Sequence, residues 1–181
     1  HSPLFQQILT VSGRNVKFWN ANGGHIIRID KDIVESEITA MILDATERRY
    51  VVAEEKGNIS IFNMKTGSLL HIIEGHEGSV SCLMRIDALR VFLSAGWDRV
   101  IRMTEDTGTD DAPVLRNFIG CEKDVTSLSF CPQKNIISAG SMDGLIRNWH
   151  VSRAVPDSII SGHRDMEIVL VHYFPRAPIL L

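Results

Sequence analysis

Apolar and polar residues alternate in short runs along almost the whole chain. Residues 37–75 show this most clearly, because four runs rich in Val, Ile, Phe and Tyr are separated there by breaks rich in Gly, Asn and Lys. The runs read EITAMILDA, YVVAEE, ISIFNM and SLLHIIEG. Such alternation is typical of half-buried β-strands, and no helical period competes with it. The pattern predicts four short strands within about 40 residues.

This four-strand pattern recurs at a fixed period. The stretches SAGWDRVIR and SAGSMDGLIR align, so that Asp98 and Asp143 stand 45 residues apart. A second marker opens an alternating run at intervals of 42, 45 and 43 residues, at Ile38, Val80, Val125 and Ile168. A third closes a run at intervals of 43, 42 and 45 residues, at Trp19, Phe62, Thr104 and Trp149. A four-stranded unit repeated at this spacing indicates the blade of a β-propeller.

The predicted fold class is therefore all-β, a β-propeller with four-stranded antiparallel blades, forming one segment over residues 1–181. The blade units are approximately 1–31, 37–75, 76–120, 121–162 and 163–181, of which the first and last are partial. The last unit would supply two strands, EIVLVHYFP and PILL. About four blades close only as an unusually small ring, so we expect a piece of a larger ring, for example one with seven blades. The alternative is a four-bladed ring in which residues 167–174 complete the first blade.

The repeated residues resemble those of the WD-repeat family. That family has Gly-His before the first strand, a Ser-rich second strand, an Asp in the next turn, and a Trp six residues after this Asp. The resemblance implies a buried network in which His bonds the turn Asp, Ser bonds His, and the Trp indole bonds Ser. Such pairing is needed because unpaired buried polar groups are costly. The matching positions are Gly75-His76, Ser94, Asp98, Asp143, Trp149, Gly162-His163 and Trp19.

No unit carries the complete network. Thr104 stands in the Trp position of the third unit, and Cys121 stands in the His position of the fourth. In the fourth unit Ser138 is one residue too far from Asp143, while Ala139 occupies the strict Ser position. We therefore expect partial networks and blades that depend on apolar packing.

The unit over residues 37–75 departs furthest, with Lys56 and Phe62 in the Asp and Trp positions. The register also shows that Trp97-Asp98 is not the family's Trp-Asp pair, because Asp98 is the turn aspartate. Trp97 therefore does not occupy the Trp position of the buried network.

The resemblance also implies a binding surface. One rim of the ring combines the loops before the first strands with the turns between second and third strands, and this rim is the usual docking face for proteins and peptides. Its candidate residues here are Trp97, Met142, Glu77, Lys123 and Arg164. Trp and Met often dominate interface energetics. For Trp97 an alternative stays open, in which the ring folds over its own blade and fills the space beside Thr104; for Met142 simple surface exposure is favoured.

Catalytic and metal sites are not predicted. His76, Ser94 and Asp98 are the residue types of a hydrolase triad, but no G-x-S-x-G motif accompanies them and the blade network already explains them. The three cysteines form no CxxC motif, which argues against zinc. The acidic stretch 105–113 is interpreted as a solvated hairpin rather than a calcium loop. Arg102 and Arg147 are expected to pack between blades, each reaching a carboxylate or the rim. We expect no cofactor and no small-molecule substrate.

Composition narrows the partner class. The net charge is −3 and the basic residues are scattered, so nucleic acid and anionic membrane are not the expected partners. No apolar run approaches the roughly 20 residues of a spanning helix. An odd number of cysteines favours reduced thiols in an intracellular, cytoplasmic setting.

The sequence thus predicts a non-enzymatic protein–protein interaction scaffold in an intracellular multi-subunit assembly. Its degenerate motifs resemble those of large, divergent WD-repeat proteins, including structural subunits of motile cilia, which makes the cytoskeleton or axoneme a candidate location. The alternative is a peptide-recognition module, such as a reader of degrons or histone tails.

Overall fold

The computed structural model describes residues 2–73, 75–106, 115–163 and 166–174, with the backbone alone for 115–119. Four antiparallel sheets, named A to D in chain order, account for its strands. Sheet A contains β1 (Gln7–Ser12), β2 (Asn15–Asn20) and β3 (Ile26–Asp30). Sheet B contains β4 (Ile38–Leu43), β5 (Arg49–Glu54), β6 (Ile59–Asn63) and β7 (Leu69–Ile73).

Sheets C and D repeat the four-stranded pattern. Sheet C contains β8 (Val80–Ile86), β9 (Val91–Gly96), β10 (Val100–Glu105) and β11 (Leu115–Gly120), with one 3-10 turn at Asp87–Leu89. Sheet D contains β12 (Val125–Cys131), β13 (Ile136–Ser141), β14 (Leu145–His150) and β15 (Ser158–Ser161). Each strand pairs with the next in sequence, so every sheet is a simple meander. The all-β fold class is confirmed, and the sheets have the form of propeller blades.

The turns between second and third strands share one backbone conformation. A glycine with positive φ, a region that favours glycine, lies in this turn in three sheets. The φ is +59° at Gly13 between β1 and β2, +94° at Gly57 between β5 and β6, and +74° at Gly144 between β13 and β14. At Gly57 a Cβ would also lie 1.9 Å from the carbonyl oxygen of His76. Arg99 takes the same place in sheet C with φ of +64°. Each of these turns lies against a loop that precedes a first strand, and we call such a loop the leading loop.

Apolar side chains fill the spaces between successive sheets, and the first strands β4, β8 and β12 lie beside one another. Between sheets A and B, Phe18 meets Tyr50 edge-on, and Tyr50 stacks on Phe62 at 5.2 Å between ring centroids. Between sheets C and D, Trp149 packs with Ala95 and Ile101. The predicted dependence on interblade packing agrees with this arrangement.

A buried ion cluster also joins sheets B and C. The Arg49 guanidinium lies 3.3 Å from the Asp44 carboxylate, through Nε, and 2.5 Å from the Asp106 carboxylate, through Nη2. Arg49 and Asp44 are both buried. This cluster lies at the end of the sheets opposite the second-to-third-strand turns, where Arg85 Nη1 also donates to the Leu43 carbonyl.

Residues 166–174 do not form the predicted first strand of a fifth blade. They run in extended form along sheet D, where the N–H groups of Val171 and Tyr173 donate to the hydroxyls of Ser127 and Ser129 at 3.0 and 2.9 Å. Ile168 and Val171 are buried beside Ile146. Residues 166–172 are not assigned to a strand, and Tyr173 makes a single β-bridge. The other predicted strand, PILL, lies outside the described residues, so pairing between the two stays a prediction.

The four-bladed alternative required residues 167–174 to join the first blade. In the described structure they pack on sheet D, and sheet A holds β1, β2 and β3 alone. The face of sheet A turned away from sheet B therefore keeps Ile8 and Ile29 exposed. Within the described ranges no helix is long and apolar enough to cross a membrane.

Candidate protein-binding surface

Sheet C holds its leading loop to its turn through a His–Asp pair. His76 Nδ1 lies 2.8 Å from Asp98 Oδ1, and Nε2 lies 2.8 Å from Ser94 Oγ. The carboxylate partner places the ring proton on Nδ1, so Nε2 accepts from the Ser94 hydroxyl. Burial lowers the pKa of His76, and the hydrogen bond to Asp98 offsets this only in part. His76 is therefore neutral at pH 7 and stays within the network.

This Ser–His–Asp constellation is not built as an active site. Ser94 is 0% exposed, and its hydroxyl is enclosed between strands of sheet C. A nucleophile has to reach the substrate carbonyl beside an oxyanion hole, which the buried Ser94 Oγ cannot do. The geometry gives these residues a structural role.

Sheet D fastens the equivalent loop and turn differently. Arg147 Nη2 lies 2.7 Å from Asp143 Oδ2 and 3.1 Å from Glu122 Oε2 in the leading loop. Burial alone would raise the pKa of Asp143, but hydrogen bonds from Arg147, Ser141 and the Leu145 N–H lower it to about 2. The Arg147 guanidinium thus holds the turn of sheet D to its leading loop, as the His76 imidazole does in sheet C.

Cys121, which stands in the His position of sheet D, is a partly buried thiol. Desolvation raises the pKa of Cys121 to about 12, so the thiol is protonated at pH 7. Across the described part of the chain, no group of His, Cys, Asp and Glu could hold a metal ion.

Sheet B uses a third arrangement, which sequence reasoning missed. Glu54, at the end of β5, accepts hydrogen bonds from the N–H groups of Glu35 and Ser36 and from the Ser36 hydroxyl, at 3.1, 2.9 and 3.1 Å. Glu54 is buried. The sequence did contain a signal for this arrangement. Glu54 is a carboxylate at the end of an apolar strand, in the unit over residues 37–75, where Lys56 replaces the turn Asp.

The two predicted network tryptophans differ in their hydrogen bonding. Trp19 Nε1 donates to Thr10 Oγ1 at 2.8 Å in sheet A. Trp149 Nε1 has no hydrogen-bond partner in the described structure, although Trp149 is only 1% exposed. The bond expected there is absent because Ala139, which matches Thr10 in register, carries no hydroxyl.

Ser138, which stands one residue out of register, is directed to the opposite face, where it bonds Asn148 and Tyr173. His163 lies exposed at the surface.

Trp97 lies on the outer side of its turn. It is 57% exposed, and its N–H donates to the Ser79 carbonyl at 2.9 Å. It does not fold over its own blade, where Thr104 is buried without it. Met142 is 45% exposed in the equivalent turn of sheet D, and its N–H donates to the Asp124 carbonyl at 3.0 Å.

The remaining candidates for this rim belong to leading loops. Glu77 and Lys123 are exposed, and the Glu77 N–H donates to Asp98. Arg164 lies outside the described residues.

Arg102 lines a cleft of about 340 Å³ with Asn58 and Glu77, and its Nη2 lies 4.0 Å from Asp98. Together the leading loops and turns form one polar rim with two large apolar side chains on it.

Four meandering sheets, of which B, C and D fasten their leading loops by polar side chains and pack first strand to first strand, have the form of β-propeller blades. The family model for "WD domain, G-beta repeat" matches residues 67–104 and 113–150. The chain accordingly contains two WD repeats, at residues 67–104 and 113–150, and is similar to WD-repeat proteins.

Three relatives show the range of similarity. Cilia- and flagella-associated protein 337 B of Tetrahymena thermophila is 29% identical over 136 residues, covering 75% of this chain and 11% of that protein. Periodic tryptophan protein 2 homolog of Schizosaccharomyces pombe is 27% identical over 114 residues, covering 63% and 13%. WD repeat-containing protein 3 of Mus musculus is 19% identical over 165 residues, covering 87% and 17%. The chain thus spans 11% to 17% of the length of these relatives.

WD-repeat proteins act as protein-interaction scaffolds and are typically not enzymes.

Proposed function

We propose that this chain is a non-enzymatic scaffold that docks a partner protein on the rim around Trp97, within a multi-subunit assembly of a cilium or flagellum. The observation that carries the docking surface is a tryptophan exposed on a well-supported turn. A large aromatic side chain in such a place offers much apolar area to a partner.

The turn of Trp97 is suited to binding because it is already fixed. Its backbone is hydrogen-bonded to Ser79, and Asp98 next to it is held by His76. An anchor whose backbone is fixed beforehand loses little conformational entropy on binding.

The test compares tagged chain with Trp97→Ala in a ciliated cell, with quantitative recovery of co-purifying proteins. The control is Val155→Ala, because Val155 is also exposed but lies in a turn at the other end of sheet D. We expect Trp97→Ala alone to reduce recovery of the partner, by about fivefold or more. Equal recovery with both variants would show that Trp97 is not the anchor.

The ciliary part of the proposal is supported by the name of one relative, Cilia- and flagella-associated protein 337 B. Its test is fractionation of detergent-treated cilia followed by detection of the tagged chain. We expect enrichment in the axonemal pellet relative to a cytosolic marker. An even distribution between pellet and supernatant would refute the ciliary assignment and leave the docking surface standing.

We also propose that these sheets are part of a larger propeller. In sheet B, Tyr50 and Phe62 are buried because sheet A covers them, whereas Ile8 and Trp19 occupy the matching register in sheet A and are more exposed. A further sheet packed there would bury this face as sheet A buries that of sheet B.

A further inference from the structure

We infer that the rim around Trp97 and Met142 binds a basic segment of a partner protein, rich in Lys or Arg. The inference rests on the proposed docking function and adds the chemistry of the partner. Its basis is an apolar patch whose surroundings carry mainly negative charge.

The apolar patch extends across neighbouring turns. The Trp97 turn reaches the leading loop of sheet D, where Arg99 Nε donates to Asp124 Oδ1 at 3.3 Å. The Asp124 carbonyl in turn accepts from the N–H of Met142. Met166, 70% exposed, follows beside that second turn, since its carbonyl oxygen would lie 2.7 Å from a Cβ on Gly144. Trp97, Met142 and Met166 therefore lie on adjoining turns and loops of the same rim, and we call these three side chains the apolar strip.

Carboxylates flank this strip. Glu77 and Glu167 are exposed and come from the leading loop of sheet C and from the loop before Ile168. The Glu122 side chain is 82% exposed although one oxygen meets Arg147. These three exposed carboxylates lie in the loops that adjoin the turns of Trp97 and Met142.

The cations of this part of the rim are mostly neutralised. Arg147 is buried between Asp143 and Glu122, and Arg99 is paired with Asp124. Arg102 lies 4.0 Å from Asp98 and is recessed in the cleft. Lys123 remains exposed, and Lys56, in the neighbouring turn of sheet B, is exposed 3.9 Å from Glu35. Among the described residues the accessible charge is therefore predominantly negative.

Lysine and arginine fit this combination of surfaces. Their long aliphatic stems pack on indole and thioether groups while their charged ends reach carboxylates, and a cation over the Trp97 ring gains further attraction. Acidic peptides and nucleic acids would be repelled by the same carboxylates. The docking segment is accordingly basic and carries apolar or long-stemmed side chains.

The test measures binding of fluorescent peptides to the 181-residue chain by fluorescence anisotropy. The probe is a short peptide of alternating Lys and Leu, and two matched peptides replace every Lys by Gln or by Glu. We expect the Lys peptide to bind at least about fivefold more tightly than the Gln peptide, with no binding of the Glu peptide, and to weaken as salt is raised. Equal affinity for the Lys and Gln peptides would overturn the inference.

Variants locate the binding on the rim. Trp97→Ala, and Glu77→Lys combined with Glu167→Lys, should each weaken Lys-peptide binding about fivefold or more. The controls are Val155→Ala and Asp157→Lys, which make similar changes at the other end of sheet D. Thermal unfolding of each variant verifies that it is folded. Loss of affinity with the controls but not with the rim variants would place the binding elsewhere and overturn the inference.

The inference and the docking proposal fail in different ways. If Trp97→Ala reduces recovery of the cellular partner while basic and neutral peptides bind alike, the docking surface stands and the partner is not basic. If Trp97→Ala leaves recovery of the cellular partner unchanged, the docking proposal itself is wrong.

Discussion

At the scale of single residues, Trp149 is the largest of the fully buried side chains, and its indole N–H has no acceptor in the described structure. An unpaired buried donor costs roughly 1–3 kcal/mol. Trp19 shows how the pairing works where a hydroxyl is present, since Thr10 accepts its indole N–H. The unpaired indole N–H of Trp149 therefore lowers the stability of the fold, and supplying an acceptor should restore it.

Ala139→Ser should correct this defect. The new hydroxyl occupies the register position of Thr10, so we expect the free energy of unfolding to rise by about 1 kcal/mol. Urea denaturation followed by fluorescence measures the change. The matched control is Ala53→Ser, another fully buried alanine, which should destabilise because no orphaned donor awaits its hydroxyl. A loss of stability in Ala139→Ser would contradict this account of Trp149.

His76 makes stability depend on pH in a defined direction. Burial lowers the pKa of His76 in the folded state below the usual histidine value of 6.5, so the unfolded chain takes up a proton first as pH falls. The contribution of neutral His76 is complete above about pH 6.5 and decreases below it.

We expect His76→Gln to be less stable than the natural chain at pH 8 and to lose less stability on acidification. The measurement is the urea midpoint of both proteins at several values between about pH 8 and about pH 5.5. Parallel pH dependence in the two proteins would show that His76 does not titrate as argued.

At the scale of elements, sheets B and C are joined by the charges around Arg49. Arg49→Leu would leave the Asp44 and Asp106 carboxylates in a buried site without their cation, so we expect a loss of about 3–5 kcal/mol. Urea unfolding measures it. Arg14→Leu is the control, because Arg14 and Asp32 form an exposed pair worth about 0–1 kcal/mol. Equal losses in the two variants would mean that the buried cluster does not hold the sheets together.

The elements also show how far sequence reasoning reaches. Alternation and a fixed period predicted the strands of sheets B, C and D, because these patterns reflect which side chains face neighbouring sheets. The same patterns predicted a strand at 167–175, but alternation reports only which side chains are buried. Residues 166–174 do bury Ile168 and Val171, but within the described ranges they belong to none of the four sheets.

Polar contacts were less predictable than strands. The substitution of Cys121 in the His position was visible in the sequence, but its replacement by Arg147 was not, because Arg147 meets the leading-loop residue Glu122, 25 residues away, only in the folded sheet. Arg49 and Asp106 are likewise 57 residues apart. Such pairs depend on the three-dimensional approach of distant segments, which a period does not specify.

At the scale of the whole molecule, the uncovered face of sheet A affects how the 181-residue chain behaves alone. Ile8 and Ile29 are exposed where a neighbouring sheet would bury them. Exposed apolar faces of this kind favour self-association. We expect the isolated chain to associate reversibly, and Ile8→Glu combined with Ile29→Glu to reduce that association.

Size-exclusion chromatography with native mass spectrometry gives the measurement. Ile72→Glu is the control, because Ile72 is exposed on the outermost strand of sheet B and not on this face. A stable monomer that unfolds in one cooperative step would argue against the larger ring and favour a self-sufficient fold.

Different polar residues hold the leading loop in sheets B, C and D, and this affects how many blades can be recognised from such a sequence. The family model matches residues 67–104 and 113–150, the region of the two units that keep a turn aspartate. Residues 38–66 fall outside both matches, yet they form three strands of sheet B with Glu54 in place of the family's polar pair. Side chains that make a repeat recognisable can thus be exchanged while the blade persists. In divergent relatives, the number of matched repeats is a lower bound on the number of blades.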